Sequence, residues 1–237
     1  MDRKAVNTIT FLTFTLIAVL SAARPTQAQS AKTPYPSMAS LDQYLMADRD
    51  AEIALARTAA PKSISADASV VVLTRQGFET AVEGKNGFVC IVERDWTAPF
   101  DDPEFWNPKA RGPICYNPAA AQSVLPYTFY RTKLVLEGLT NPQMLERVKA
   151  AVANKELTPP APGAMSYMLS KEGYLNDKVG HWYPHLMFHI PKIDSATWGA
   201  NLDGSPVLFD PRIVPEPETI FYVPVGQWSD GTPAPAM

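Results

Sequence analysis

HWYPHLMFHIP, residues 181–191, holds all three histidines of the chain, and whether it coils or extends decides how the second half folds. As a helix it would set His181, His185 and His189 one turn apart on one face, a spacing that suits a metal ion. Pro184 and Pro191 bracket a short aromatic and branched run, Gly180 precedes it, and no H-E-x-x-H is present. That text predicts a strand over Tyr183–Ile190. On a strand, Leu186, Phe188 and Ile190 point one way, and His185, Met187 and His189 the other. Histidines four residues apart then stand about 13 Å from each other, at a rise of about 3.3 Å per residue. Zinc binds imidazole nitrogen at about 2.0–2.1 Å, so no shared ion is expected. Nothing in the sequence implies a cofactor. Burying each large apolar side chain is worth about 1.5–3 kcal/mol, so the Leu186, Phe188 and Ile190 face is expected inside, with His185 on the more polar side.

Similar strand text lies on both sides of this stretch. AMSYMLS (164–170), PVLF (206–209) and TIFYVPV (219–225) follow the same pattern. Further upstream, SVVVLT (69–74), FETAVE (78–83) and FVCIVER (88–94) are separated by RQG and by GKNG, with its Asn-Gly turn signal. The simplest arrangement is an antiparallel meander of three strands. On the third, Phe88, Cys90 and Val92 share one face, and Val89, Ile91 and Glu93 the other.

Two regions are written for helix. SLDQ places Ser40 as an N-cap with Gln43 three residues on, and DRDAEIALARTAA runs from there to the stop at Pro61. Asn117 and Pro118 form a favourable N-cap and first position, and Pro126 interrupts the helix. Asn141-Pro142 repeats that start, and Met144, Leu145, Val148 and Val152 then line one helical face. The reading is one α+β domain over 40–232. It has an antiparallel sheet, an N-terminal helix and a helical insert, between a flexible leader (29–39) and a frayed end (233–237).

The beginning of the chain is written for export. Arg3 and Lys4 precede an uncharged apolar run, Ile9–Ala23, and small residues at Thr26 and Ala28 favour cleavage after Ala28, with Ala23 as the competing point. The run is about 15 residues, short of the roughly 20 that span a bilayer, so no stable membrane anchor is expected. Residues 1–28 hold Arg3, Lys4 and Arg24 against Asp2, so the formal charge of −3 becomes −5 without them. An acidic chain with no Lys/Arg run offers nothing to nucleic acid or anionic lipid, which leaves a small molecule or another protein as partner. Cys90 and Cys115 are the only cysteines, and an even pair in an exported chain is read as a disulfide. Its loop of about 25 residues is worth roughly 3–4 kcal/mol in the chain-entropy model.

His185 is the candidate functional histidine, with Tyr167 and Met187 as expected neighbours and Glu93, Asp95 or Asp177 as groups that would orient it. The stretch between the cysteines carries Trp96, Phe100, Phe105 and Trp106 without any period. Trp96 and Trp106 are candidate ligand contacts if the loop is an exposed platform; the alternative, and the simpler reading, tucks the aromatics onto the core. No G-x-S-x-G is present, and Ser205 in DGSP is a turn residue. Three functions follow. A periplasmic or secreted binding module needs a pocket beside His185. A hydrolase needs in addition a carboxylate within hydrogen-bond reach of it. A structural envelope protein needs no pocket.

RDAEIALARTAAP, GKNGFVCIVERDW, RGPICYNPAAA, PGAMSYMLSKEGYL and HWYPHLMFHIP together resemble an uncharacterised family of exported bacterial proteins. Its members carry an NG-aromatic-x-C segment, a P-x-C segment, a (G/S)YM(L/M) strand and a PH-x-M strand. The resemblance runs over most of residues 48–232 and implies bacterial export and one shared domain, with no activity attached. Shorter members lack most of the stretch between Cys115 and Thr158, which implies that the sheet and the disulfide are the common core.

Overall fold

β1 (Ser69–Thr74) and β2 (Gly77–Val82) form an antiparallel hairpin closed at Thr74 and Gly77. The computed structural model describes residues 34–235; the expected export signal, 1–28, lies outside the described residues. After β2 the chain does not turn into a third meander strand. β3 (Val89–Glu93) lies parallel to β1, with Ser69 opposite Val89 and Val70 opposite Cys90. The cause is GKNG, which makes a strap instead of a hairpin turn. Lys85 N and Asn86 N both donate to Asp67 O, and Asn86 Nδ2 donates to Ile64 O at 2.8 Å. At Gly84 a Cβ would sit 2.1 Å from Ser69 N, so only glycine lets the strap cross there.

β4 (Gly112–Tyr116) runs antiparallel to β3, with Cys90 directly opposite Cys115 and bonded to it. β5 (Met165–Met168), β6 (His185–Pro191), β7 (Leu208–Phe209) and β8 (Glu218–Pro224) complete one sheet in the order β2-β1-β3-β4-β5-β6-β8-β7. Every pairing except β1 with β3 is antiparallel, so the domain is α+β with one disulfide, as expected.

One face of β1, β3 and β4 lies under α1 (Arg49–Arg57). Small residues, Ala56 and Ala59, meet Val70, Val72, Val92 and the disulfide there, with Phe88 beside them. α1 starts at Asp48, whose carboxylate accepts from Asp50 N and Ala51 N. The capping box expected at Ser40 does not form, and Leu41–Gln43 makes only one tight turn. Tyr44 accounts for the break. It is drawn into the core, its hydroxyl donates to Trp106 O at 2.8 Å, and its ring meets Trp96. The expected leader is held as well, because Tyr35, Met38 and Ala39 pack against the core. α2 (Lys62–Ser65) is a single turn before β1.

The opposite face is covered by α3 (Pro118–Ser123), α4 (Leu125–Leu136) and α5 (Asn141–Ala153). Asn117 caps α3 by accepting from Ala120 N. Pro126 falls in the first turn of α4, so the interruption lies at Val124. The cap of α5 is Thr140, one residue before the expected start, with Gln143 Oε1 accepting from Thr140 N at 2.9 Å. Leu134, Val135, Met144 and Val148 join Val71, Leu73, Ile91 and Ile114 in the larger core, so the helical segment is a wall of that core. The C-terminal stretch, expected to fray, is tied by Trp228 N to Thr232 O and by Ala234 N to Gly226 O.

β6 has the parity expected but the opposite face inside. Met187 and His189 are buried, while Leu186, Phe188 and Ile190 are only half-buried. α1 does not reach this end of the sheet. On the triplet's face, Trp198 of the turn Ser195–Trp198 stacks on Phe221 at 4.5 Å and lies against Phe188. The histidines can go inside because each has a partner for a ring nitrogen.

Candidate functional site

The histidine-bearing face of the sheet is the floor of a cavity of about 620 Å³. Ile114 and Tyr116 come from β4, Met168 from β5, His185, Met187 and His189 from β6, and Glu218, Ile220 and Tyr222 from β8. The register places them together: His185 stands between Met168 and Pro224, and Met187 between Ser166 and Tyr222. α4 supplies Tyr127, Thr128 and Arg131 above the floor, and Phe209–Arg212 closes a side. The lining presents more apolar than polar surface, and it carries three arginines, six acidic residues and the two histidines of β6.

His185 lines the cavity, on the face expected to be the outer one, and its partner is none of the expected acids. Nδ1 lies 2.6 Å from Tyr183 O, which requires a proton on Nδ1 and leaves Nε2 as an acceptor. Burial lowers its pKa and keeps the ring neutral. Its edge meets Tyr222. No carboxylate bonds this ring among the described residues. Of the three expected orienting acids, Asp177 does not line the cavity and is bonded to Lys109 and Tyr35. Glu93 accepts from Tyr116 Oη at 2.6 Å and from Thr128 Oγ1 at 2.9 Å. Burial raises the Glu93 pKa against the pull of these hydroxyls.

Asp95 also lines the cavity. Its residue is 9% exposed, and Oδ2 is buried without a hydrogen-bond partner. Burial, with Asp102 and Glu104 nearby, pushes its carboxyl up to about 8.

The histidine that does hold a carboxylate is His189, 3% exposed. Nδ1 lies 2.8 Å from Glu218 Oε2, and Nε2 lies 3.0 Å from Ser166 Oγ. When Nδ1–H donates to Glu218 and the ring carries that one proton, Nε2 accepts from the Ser166 hydroxyl. Ser166 is 0% exposed, and in this arrangement its oxygen does not meet the cavity.

Tyr167 pairs with Cys115 and Leu186 and faces the α1 side, near Phe88, so it is not a neighbour of His185. Trp96 and Trp106 are buried behind the loop, as the tucked reading required, and neither lines the cavity. Trp96 Nε1 donates to Thr132 Oγ1 at 3.0 Å. His181 stacks on Trp228, apart from the other two histidines. Among the described residues no three His, Cys, Asp or Glu side chains converge to hold a metal ion.

The arginines around the cavity are committed. Arg131 grips Glu216 through Nε at 2.6 Å and Nη2 at 2.8 Å. Arg212 holds Asp210 and Asp102, and Arg94 turns to Glu52. Sequence reading missed His189, Glu218 and Tyr222. Alternation along ETIFYVP carries a signal for two of them, since it puts Glu218, Ile220 and Tyr222 on one face.

No protein-family model, curated protein or solved structure matches the chain, so what the cavity does must be argued from its own groups.

Proposed function

We propose that the protein is an exported bacterial binding module, periplasmic or secreted, that holds a small molecule over the histidine-bearing face. The observation that carries this is the cavity. Its size falls in the range of ligand sites, and its mainly apolar surface is interrupted by arginines, acids and the two histidines of β6. His185 contributes an uncommitted acceptor, which orients a ligand without needing a carboxylate behind it. Export is supported by the basic start and apolar run and by the disulfide. The cavity speaks against a purely structural envelope role.

The test is native mass spectrometry of the protein isolated from a bacterial periplasm. A retained small molecule is expected. His185→Ala should weaken retention about tenfold, the worth of one well-placed hydrogen bond, with little change in melting temperature. Unchanged retention would remove His185 from the site.

One observation favours an enzyme instead, the line Glu218–His189–Ser166. Hydrolysis would require Ser166 to open to the cavity. Labelling by a fluorophosphonate at Ser166, lost in His189→Ala, would establish that reading; an unlabelled Ser166 would remove it.

A further inference from the structure

We infer that the ligand of this cavity is an organic cation, an ammonium group on an aromatic or alkyl body, with Asp95 and Glu93 receiving its charged head. The inference rests on the cavity being the ligand site and adds the ligand's chemistry.

A charge inventory points there. Three arginines line the cavity, and no lysine does. Glu216 holds Arg131, Asp210 and Asp102 hold Arg212, and Arg94 reaches out of the cavity to Glu52. Glu218 accepts from His189 Nδ1. Two acids remain bonded to neither an arginine nor a histidine, Glu93 and Asp95. They flank Arg94 at the end of β3, and both line the cavity.

Glu93 is at least satisfied by hydroxyl donors. Asp95 is not: its side chain makes no hydrogen bond among the described residues, and it is nine-tenths buried. A carboxyl taken from water without a donor is costly, and folded proteins rarely leave one so. A ligand ammonium would supply the missing donors and the missing charge together.

The alternatives fit less well. An anion would meet no uncommitted cation in the lining. A metal ion needs several converging oxygen or nitrogen ligands, and no such group of three exists among the described residues. An organic cation needs only one or two carboxylates and a wall for its body. Tyr174, Trp182, Tyr183, Phe209 and Tyr222 offer that wall, with ring faces that attract positive charge.

Proton linkage gives a second reading of the same contact. The groups acting on Asp95 are Asp102, Glu104 and Asp177, which raise its pKa, and Arg212, which lowers it; Tyr44 also feels its charge. With its carboxyl near 8 in the unliganded protein, Asp95 is mostly protonated at pH 7. An incoming ammonium favours the ionised form, so binding should release a proton.

The experiment is calorimetric titration of the exported protein with three matched probes: phenethylamine, phenethyl alcohol and phenylacetate. We expect the amine to bind at least about tenfold more tightly than the alcohol, phenylacetate to bind worst, and the amine's heat to vary with the buffer's ionisation enthalpy. Asp95→Asn should erase the preference for amine over alcohol while leaving alcohol binding in place. Should that variant not fold, Glu93→Gln should reduce the same preference. Equal binding of amine and alcohol, or a preference that survives in the folded variants, would overturn the cation and leave the cavity as a ligand site. Tightest binding by phenylacetate would overturn its sign. No binding by any probe, with an empty protein in native mass spectrometry, would overturn both readings.

Discussion

Between β3 and α1, Arg94 and Glu52 are buried as a completed set. Arg94 Nη2 meets Glu52 Oε1 at 2.9 Å, its Nε donates to Tyr44 O, and Glu52 Oε1 also accepts from Leu73 N. One residue further along, Asp95 is buried at the cavity with no partner. The same turn of chain thus sends one charged group into the packed side of the sheet and the next into the open side. On the packed side, every guanidinium nitrogen of Arg94 has an acceptor, and Glu52 Oε1 has two donors. On the open side, Asp95 and Nε2 of His185 have no hydrogen-bond partner among the described residues. The difference separates charged groups that the fold pairs from polar groups that it leaves unpaired.

The largest effect that would break this contrast is structural. Deleting residues 119–157 should abolish cooperative folding, because α4 and α5 supply Leu134, Val135, Met144 and Val148 to the larger core and Arg131 to the cavity. Circular dichroism and thermal melting of the shortened chain provide the check. A soluble, cooperatively melting product would mean that the sheet and disulfide suffice, as the family resemblance implies.

Strand text, helix text and the cysteine pair are local, and each element lies close to where its residues put it. Pairing order is not local. Asn86-Gly87 reads as a hairpin turn, yet the close approach of Gly84 to Ser69 and the bonds to Asp67 make a strap that carries the chain past β1. The inside face of β6 was also illegible. On hydrophobicity alone, three large apolar residues outweigh His-Met-His. The outcome turned on Ser166 and Glu218, separated in sequence from His189 by 23 and 29 residues, which satisfy its two nitrogens. Tyr167 was misplaced for the same reason, since the alternation of β5 says which residues share a face but not which face meets the cavity. By contrast, the aromatics after β3 could be placed, because a loop with Trp96, Phe100, Phe105 and Trp106 has too much apolar area to leave in water.

The next effect sharpens the contrast at the packed side. Arg94→Met leaves Glu52 buried with Leu73 N as its remaining donor, and such a loss typically costs about 3–5 kcal/mol. Replacing both residues together by apolar side chains should restore much of that loss, because the desolvation of both charges is then avoided. Urea denaturation of the two variants measures this directly. If the double variant is as weak as the single one, the pair contributes more than mutual compensation.

The smallest effect concerns the open side, and its sign is opposite. Asp95 has its carboxyl raised to about 8 in the folded chain, against about 3.9 when unfolded. Between these values the folded state keeps a proton that the unfolded state gives up, so stability falls as pH rises from about 4 to about 8 and then levels off. An asparagine side chain at this position cannot titrate, which removes the slope. Asp95→Asn should therefore gain on the natural chain by up to about 2–3 kcal/mol between pH 5 and pH 7. The gain should appear as a widening gap in melting temperature. A bound organic cation would act in the other direction, by ionising Asp95 and stabilising the natural chain most at the higher pH. Melting the natural chain and the Asp95→Asn variant at both pH values, with and without phenethylamine, separates the two terms. A gap that stays constant with pH in the absence of amine would mean that Asp95 is not a strained acid. The open side of the sheet would then differ from the packed side only in shape.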